Sequence, residues 1–307
     1  MFANYPKSAV RFSAGVRRAD LFVDAGQFDA AVDLYGAVLR ENPPEDVAAT
    51  CVYFTGESQL KLGKKADAAI SFEQVKAKYP KSPFLPYALL KLGAIYGEDP
   101  AKADQVIELY KAVAAQPGSD RLGAEAAFQM AEVYFKRKDF ARSAESYKSL
   151  MKSYPADART AEARLQAAWA SHNAGLYADA LAAVVEGLKG EAADKQAEWL
   201  YLKANSERQL MKNQEAAQSY SDLLLKFPDS PLANAARYER ALTFYKQGKY
   251  KETVEEASKV KPVPELTKDV YWLLAESYSE LKDEDNAIQY YRMIVKDFPA
   301  SDVACDA

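Results

Sequence analysis

Apolar residues recur along the whole chain at i, i+4 and i+7, the spacing of one stripe on a helix. The stripe has a fixed grammar of a small residue, a bulky one and an aliphatic one. It reads Ala31-Tyr35-Val38, Ala68-Phe72-Val75, Val106-Tyr110-Val113 and Ser143-Tyr147-Leu150 in the first half of the chain. In the second half it reads Ala180-Val184-Gly187, Ala216-Tyr220-Leu223, Thr253-Ala257-Val260 and Ala287-Tyr291-Ile294. Two helix backbones approach closely only where a side chain is short, and the bulky neighbour fills the space beside that contact. Tyr147 and Tyr291 are accordingly expected in the interior. Upstream of each trio a second helix is predicted, in which a small residue precedes a bulky one by three positions: Ala19-Phe22, Gly93-Tyr96, Ala131-Tyr134, Ala241-Phe244 and Ala275-Tyr278. Gly26, Gly63, Gly175 and Gly248 mark tight turns between the two helices, because glycine tolerates positive φ.

Prolines set the period. Pro6, Pro43, Pro80 and Pro117 are each 37 residues apart, and Pro155, Pro228, Pro264 and Pro299 continue the series with one marker missing. Tyr79-Pro80-Lys81-Ser82 repeats Tyr5-Pro6-Lys7-Ser8 letter for letter, and Phe227-Pro228-Asp229-Ser230 and Phe298-Pro299-Ala300-Ser301 are close relatives. The units fall at about 7–43, 44–80, 81–117, 118–155, 156–191, 192–228, 229–264 and 265–299. Residues 189 to 194 lack the proline, so the fifth unit is irregular. No linker divides the series, which predicts one continuous array. Residues 1 to 8 read as the tail of a preceding unit and residues 300 to 307 as the start of another, so a fragment of a longer array is expected.

The pattern resembles the tetratricopeptide repeat (TPR) family over essentially the whole chain. The stretch Tyr238-Glu239-Arg240-Ala241-Leu242-Thr243-Phe244-Tyr245-Lys246-Gln247-Gly248-Lys249-Tyr250 is similar to the family consensus around its turn. The period exceeds the usual 34. The resemblance implies an all-α fold, a right-handed superhelical solenoid of about eight helix-turn-helix repeats whose first helices line a concave groove. Longer units ending Phe/Tyr-Pro-x-Ser resemble bacterial envelope TPR proteins such as the barrel-assembly lipoprotein and the Tol–Pal-associated coordinator. A periplasmic or outer-membrane-associated location in a Gram-negative cell is therefore expected, with the cytoplasm as the alternative.

Composition narrows the function. The 307 residues carry 40 basic and 44 acidic side chains, a net charge of −4, without the clustered basic surplus of a nucleic-acid binder. No apolar run approaches the roughly 18–20 residues that cross a bilayer. With one histidine, His172, neither a His-rich metal site nor a paired-His mechanism can be built. Cys51 and Cys305 lie nearly the whole chain apart, too far for a disulfide in an elongated molecule. Cys51 reads as a small packing residue. Asp283-Glu284-Asp285 and Glu255-Glu256 read as solvated carboxylates at turns and on polar faces, and Gly118-Ser119-Asp120 as a helix-start signal. No enzyme, cofactor or metal site is expected.

What remains is a binding surface. On the consensus alignment, the groove position three residues before the small one carries Tyr53, Phe128, Tyr201, Tyr238 and Trp272. The position just after it carries Glu57, Glu132, Trp169, Asn205, Leu242 and Glu276, and three further on come Phe135, His172, Arg208 and Tyr245. Rings at helical spacing also serve as core, and each of these could pack on the neighbouring repeat. The mixture of aromatic anchors with amide and cation suits an extended peptide, the rings for its side chains and Asn205 and Arg208 for its carbonyls or a carboxylate. These side chains are expected to face solvent in the free protein. The function expected is a non-catalytic scaffold that binds proteins or peptides in its groove, and the alternative is a structural module that stacks end to end through its array ends.

Overall fold

The structure, a computed structural model, describes residues 10–116, 120–189 and 193–301, with the side chains of 120, 193 and 194 excepted. The readings of residues 1 to 8, of Ser119 and the Asp120 cap, of most of the irregular stretch 189 to 194, of Cys305 and of the helix after residue 301 lie outside them. The described residues fold into sixteen α-helices and no strands. They come in pairs: α1 (Arg11–Asp24) with α2 (Phe28–Arg40), α3 (Glu45–Lys61) with α4 (Lys65–Lys78), α5 (Leu85–Tyr96) with α6 (Ala103–Ala114), and α7 (Asp120–Lys136) with α8 (Phe140–Ser153). The series continues with α9 (Arg159–Asn173) and α10 (Tyr177–Gly187), α11 (Ala193–Gln209) and α12 (Asn213–Lys226), α13 (Ala233–Lys246) and α14 (Tyr250–Ala257), and α15 (Pro264–Glu280) and α16 (Glu284–Asp297). The chain divides into two compact units, residues 1–160 and 161–307. Within each, a second helix packs against the next first helix, as α2 on α3 and α12 on α13, and successive first helices touch, as α5 and α7 or α13 and α15.

The core is one contact repeated. Ala19, Ala131, Ala204 and Ala241 of the first helices are fully buried, as are the rings of Tyr35, Phe72, Tyr147 and Tyr220 in the second helices. Where glycine holds the small position, the ring comes closer still: a Cβ on Gly93 would stand 2.4 Å from the Tyr110 ring. The tyrosine hydroxyl then meets the residue that follows the small one. Tyr35 donates to Asp20 at 2.7 Å, Tyr220 to Asn205 at 2.6 Å and Tyr291 to Glu276 at 2.6 Å, and Tyr147 donates to Glu132. A buried hydroxyl needs such a partner, since leaving one unpaired costs about 1–3 kcal/mol. Tyr147 is interior as its spacing predicts, whereas Tyr291 is half-buried, because no described helix covers the outer side of α16.

The fifth pair solves the same packing problem differently. Val184 stands where a ring is usual and Gly187 where an aliphatic is usual. The missing volume comes from α11, whose Trp199 is fully buried against Gly187, with its indole 2.6 Å from where a Cβ would be. Large-for-small exchange across an interface keeps the density of a close-packed core.

The tight turns need one left-handed residue at a fixed place, seven positions after the small residue. Gly26, Gly63, Gly175 and Gly248 fill it with φ of 71–78°, and Lys138, Met211 and Lys282 fill it with φ of 60–62°. The sequence signals only the four glycines. The third pair departs from the pattern: α5 stops at Tyr96, and Pro100–Lys102 form a short 3-10 turn in place of the tight one. A Cβ in the left-handed region costs about 1–2 kcal/mol per residue, and the Met211 side chain is three-quarters exposed and packs on little. Met211→Gly is therefore expected to stabilise the protein by about 0.5–1 kcal/mol in urea titrations.

Candidate functional site

The residues singled out in the sequence occupy three regular stations. Rings three positions before the small residue pack on the second-helix ring of their own pair, tilted for Tyr53–Phe72 at 5.8 Å and edge-on for Phe128–Tyr147 at 5.4 Å and Tyr201–Tyr220 at 6.2 Å. Residues four after it meet the first ring of the following helix: Phe135–Phe140 at 5.2 Å, His172–Tyr177 at 5.1 Å and Tyr245–Tyr250 at 5.6 Å. Others bridge successive first helices, as Trp169–Tyr201 at 6.3 Å and Tyr245–Trp272 at 6.0 Å. All of these rings, Tyr238 included, are buried or half-buried and ordered by their neighbours. Tyr53, Phe128 and Phe135 belong to the first unit and the rest to the second.

Two of the polar candidates do not face solvent as expected. Asn205 is buried and already accepts from Tyr220. Arg208 lies 3.1 Å from the Glu239 carboxylate of α13, and both side chains are largely covered. Burial holds Glu239 above the usual carboxylate range, against the downward pull of Arg208. The pair is committed to joining α11 to α13. His172 is half-buried and shares a 2.9 Å hydrogen bond between its Nδ1 and the Ser206 hydroxyl. Burial, assisted by the Arg208 charge, pulls its pKa down.

The other candidate chemistries resolve into structure. Cys51 is fully buried, and burial pushes its thiol up to about 12, so it carries no reactive thiolate at neutral pH. Asp283 caps α16 by accepting from the Asn286 backbone at 3.3 Å. Glu255 pairs with Lys259 on the surface, but Glu256 departs from the solvated reading. It is 3% exposed and accepts from Arg240 at 2.7 Å, because the period that turns Glu255 outward turns Glu256 toward α13. Among the described residues no His, Cys, Asp and Glu cluster could hold a metal ion. No helix there is long and apolar enough to cross a membrane.

A feature that the sequence reading missed lies in the first unit. An open trough of about 580 Å³ runs between α5 and α7, lined among the described residues by first-helix side chains, including Tyr87, Leu90, Lys91, Arg121 and Glu125. Tyr87 is 45% exposed, and its ring meets the Tyr53 edge at 6.3 Å. Lys91 is steadied by Glu57 at 3.2 Å. The signal was available, since Tyr87 lies one turn before Leu90 on the same stripe, but α5 is short and its consensus ring position holds leucine.

Helix pairs of this geometry, stacked through a small residue and a ring, agree with what comparison finds. Tetratricopeptide repeat family models match residues 16–83 and 201–264, and residues 125–157 and 269–301, together more than half of the chain. The chain belongs to the tetratricopeptide repeat family. No curated protein matches the sequence significantly. Among solved structures, the C-terminal part of a TPR repeat-containing protein from Cytophaga hutchinsonii aligns with a TM-score of 0.61 at 15% identity, over 83% of this chain and 98% of that one. The apo form of RapI aligns with a TM-score of 0.62 at 13% identity, over 93% and 86%. A tetratricopeptide repeat protein from Parabacteroides merdae aligns with a TM-score of 0.50 at 16% identity, over 87% and 98%. At these identities the likeness is one of fold. TPR repeats mediate protein–protein interaction and are typically non-catalytic.

The single histidine makes one pH effect assignable. A folded-state pKa below the unfolded value of about 6.5 gives stability that is present above pH 6.5 and lost as pH falls through the folded value. Glu239, held high, opposes this slope at the acid end. Protection of α9–α11 amides from hydrogen exchange is therefore expected to weaken between about pH 7 and 5.5 in the native chain and to vary less in His172→Gln at matched pH.

Proposed function

We propose that this TPR protein is a non-catalytic binding scaffold that takes extended peptide segments of partner proteins along its first helices. The observation that carries the reading is the trough between α5 and α7, which has an apolar floor at Leu90 and Leu122, an exposed ring at Tyr87, and Lys91, Arg121 and Glu125 beside it. A few aromatic anchors with polar groups around them are what an extended chain needs for affinity and register. The half-buried rings of Trp169, Tyr201, Tyr245 and Trp272 add a second anchoring surface in the other unit. Held by neighbours, such rings lose little entropy on binding. We place the scaffold in a bacterial envelope assembly on the strength of the Phe/Tyr-Pro-x-Ser turns. A photo-crosslinking amino acid at position 87 is expected to trap partner chains in the native envelope, and one at Leu225, exposed on a second helix, is not. Adducts at 225 with none at 87 would reject the surface.

A second reading, end-to-end stacking, rests on a separate observation. Ile288 and Val295 of α16 are 46% and 47% exposed, at positions whose counterparts in α12, Ala217 and Leu224, are covered by the next helix. If copies stack there, light scattering is expected to show mass rising with concentration, abolished by Ile288→Lys with Val295→Lys. A constant monomer mass would reject it.

A further inference from the structure

In one pair the tyrosine has lost its acceptor. Tyr110 of α6 occupies the position of Tyr35, Tyr147 and Tyr220, and it is 4% exposed. The residue facing its hydroxyl, where the other pairs carry Asp20, Glu132 or Asn205, is Ala94. Among the described residues the Tyr110 hydroxyl makes no hydrogen bond. Beside it lies a cavity of about 360 Å³, lined by Gly93, Ala94, Gly97, Val106, Tyr110 and Val133 among others. The cavity exists because α5 is short and its last turn holds glycine and alanine where longer side chains would fill the space.

The lining says what would fit. Its carboxylates and guanidinium are already engaged: Glu98 pairs with Lys65, Asp99 accepts from the Ala101 backbone at 3.0 Å, Glu132 accepts from Tyr147 and Arg137 pairs with Asp104. The other polar side chains of the lining, Gln129 and Lys136, are exposed to solvent. The floor is aliphatic. The ligand must therefore supply a hydrogen-bond acceptor on an apolar body. Whether that acceptor is charged is decided by the charges the lining leaves unbalanced: among the described residues no cation pairs with Asp99 or Glu132, and only the exposed Lys136 stands against them, so the balance is negative. Behind it, Glu125 of α7 adds to burial in pushing Tyr110 up to about 12. Tyr220 also has a carboxylate of the next first helix nearby, Glu239, there offset by the Arg208 charge, and its partner is the neutral amide of Asn205. A second carboxylate beside Glu125 would meet like-charge repulsion in a poorly solvated place.

We propose that the cavity between α5, α6 and α7 is a binding site for a neutral amide on an apolar body, whose carbonyl oxygen accepts from the Tyr110 hydroxyl. The amide belongs to a free small molecule or to an Asn or Gln side chain of a partner, and the site replaces in trans what Asn205 supplies in cis to Tyr220. It is independent of the peptide trough, because crosslinking at position 87 can fail while this site stands.

The test titrates the isotope-labelled chain with benzamide, benzoate, benzylammonium and N-acetylglutamine methylamide, following the backbone signals of Gly93, Ala94 and Gly97 by NMR. The expected result is that benzamide or the glutamine derivative shifts these signals at least about tenfold more tightly than the charged analogues, and which of the two binds identifies the source. Tyr110→Phe is expected to weaken that binding by about tenfold and to leave the melting temperature unchanged, since no protein bond is lost. Ala94→Glu, which restores the missing acceptor, is expected to raise the melting temperature and abolish binding. The proposal is overturned if no neutral amide binds, if benzoate or benzylammonium binds as well, or if Tyr110→Phe binds undiminished. It is also overturned if Tyr110→Phe lowers the melting temperature as Tyr147→Phe does, because the hydroxyl would then have a partner within the fold.

Discussion

A ring pressed against a nearly absent side chain is the contact on which everything else in this molecule depends. Ala or Gly on the first helix lets the second helix approach, the ring fills the gap, and its hydroxyl finds the next residue along. Shape and hydrogen bonding thus select the same register. A one-residue slip of either helix would bury a hydroxyl without its acceptor and drive a Cβ into a ring. Because the contact involves only neighbouring helices, stability accumulates pair by pair, and each pair tolerates its own variant. The exchange of Trp199 for the missing ring near Val184 is one such variant, and the Tyr110–Ala94 vacancy is another.

Fixing the inward stripe leaves the first helices free to specialise on their other faces. In the second unit that freedom is spent on joining repeats, through Arg208 to Glu239 and Trp169 to Tyr201. Largely covered ion pairs are poor sources of net stability, since desolvation cancels much of the attraction, but breaking one leaves a charge stranded. They therefore resist change more than they stabilise. Between α5 and α7 the freedom is spent on open space instead. The short α5, with Gly93, Ala94 and Gly97 near its end, leaves both the trough and the cavity, so the loss of packing is what creates the surface.

The sequence by itself determined the helices, their pairing and the interior rings, because a 3.6-residue stripe with one small member admits a single arrangement of two helices. Tyr35, Phe72, Tyr147 and Tyr220 were all legible this way, and so was the packing role of Cys51. Turn positions were legible only where glycine occupies them. Lys138, Met211 and Lys282 adopt the same left-handed conformation because the helices on either side impose it, and no local signal announces that.

What only the tertiary structure decided is which candidate residues have anything left to offer. A consensus alignment places Asn205 and Arg208 on the groove face and leaves Tyr87 out, yet Asn205 is consumed by Tyr220, Arg208 by Glu239, and Tyr87 stands half-exposed beside a trough. Glu255 and Glu256 are neighbours in sequence, one solvated and one buried against Arg240. The reason is physical: helical periodicity gives the direction of a side chain from its own axis. Whether that direction ends in solvent or in a partner depends on the length and side chains of a neighbouring helix, 15 residues away for Asn205 and Tyr220 and 16 for Arg240 and Glu256.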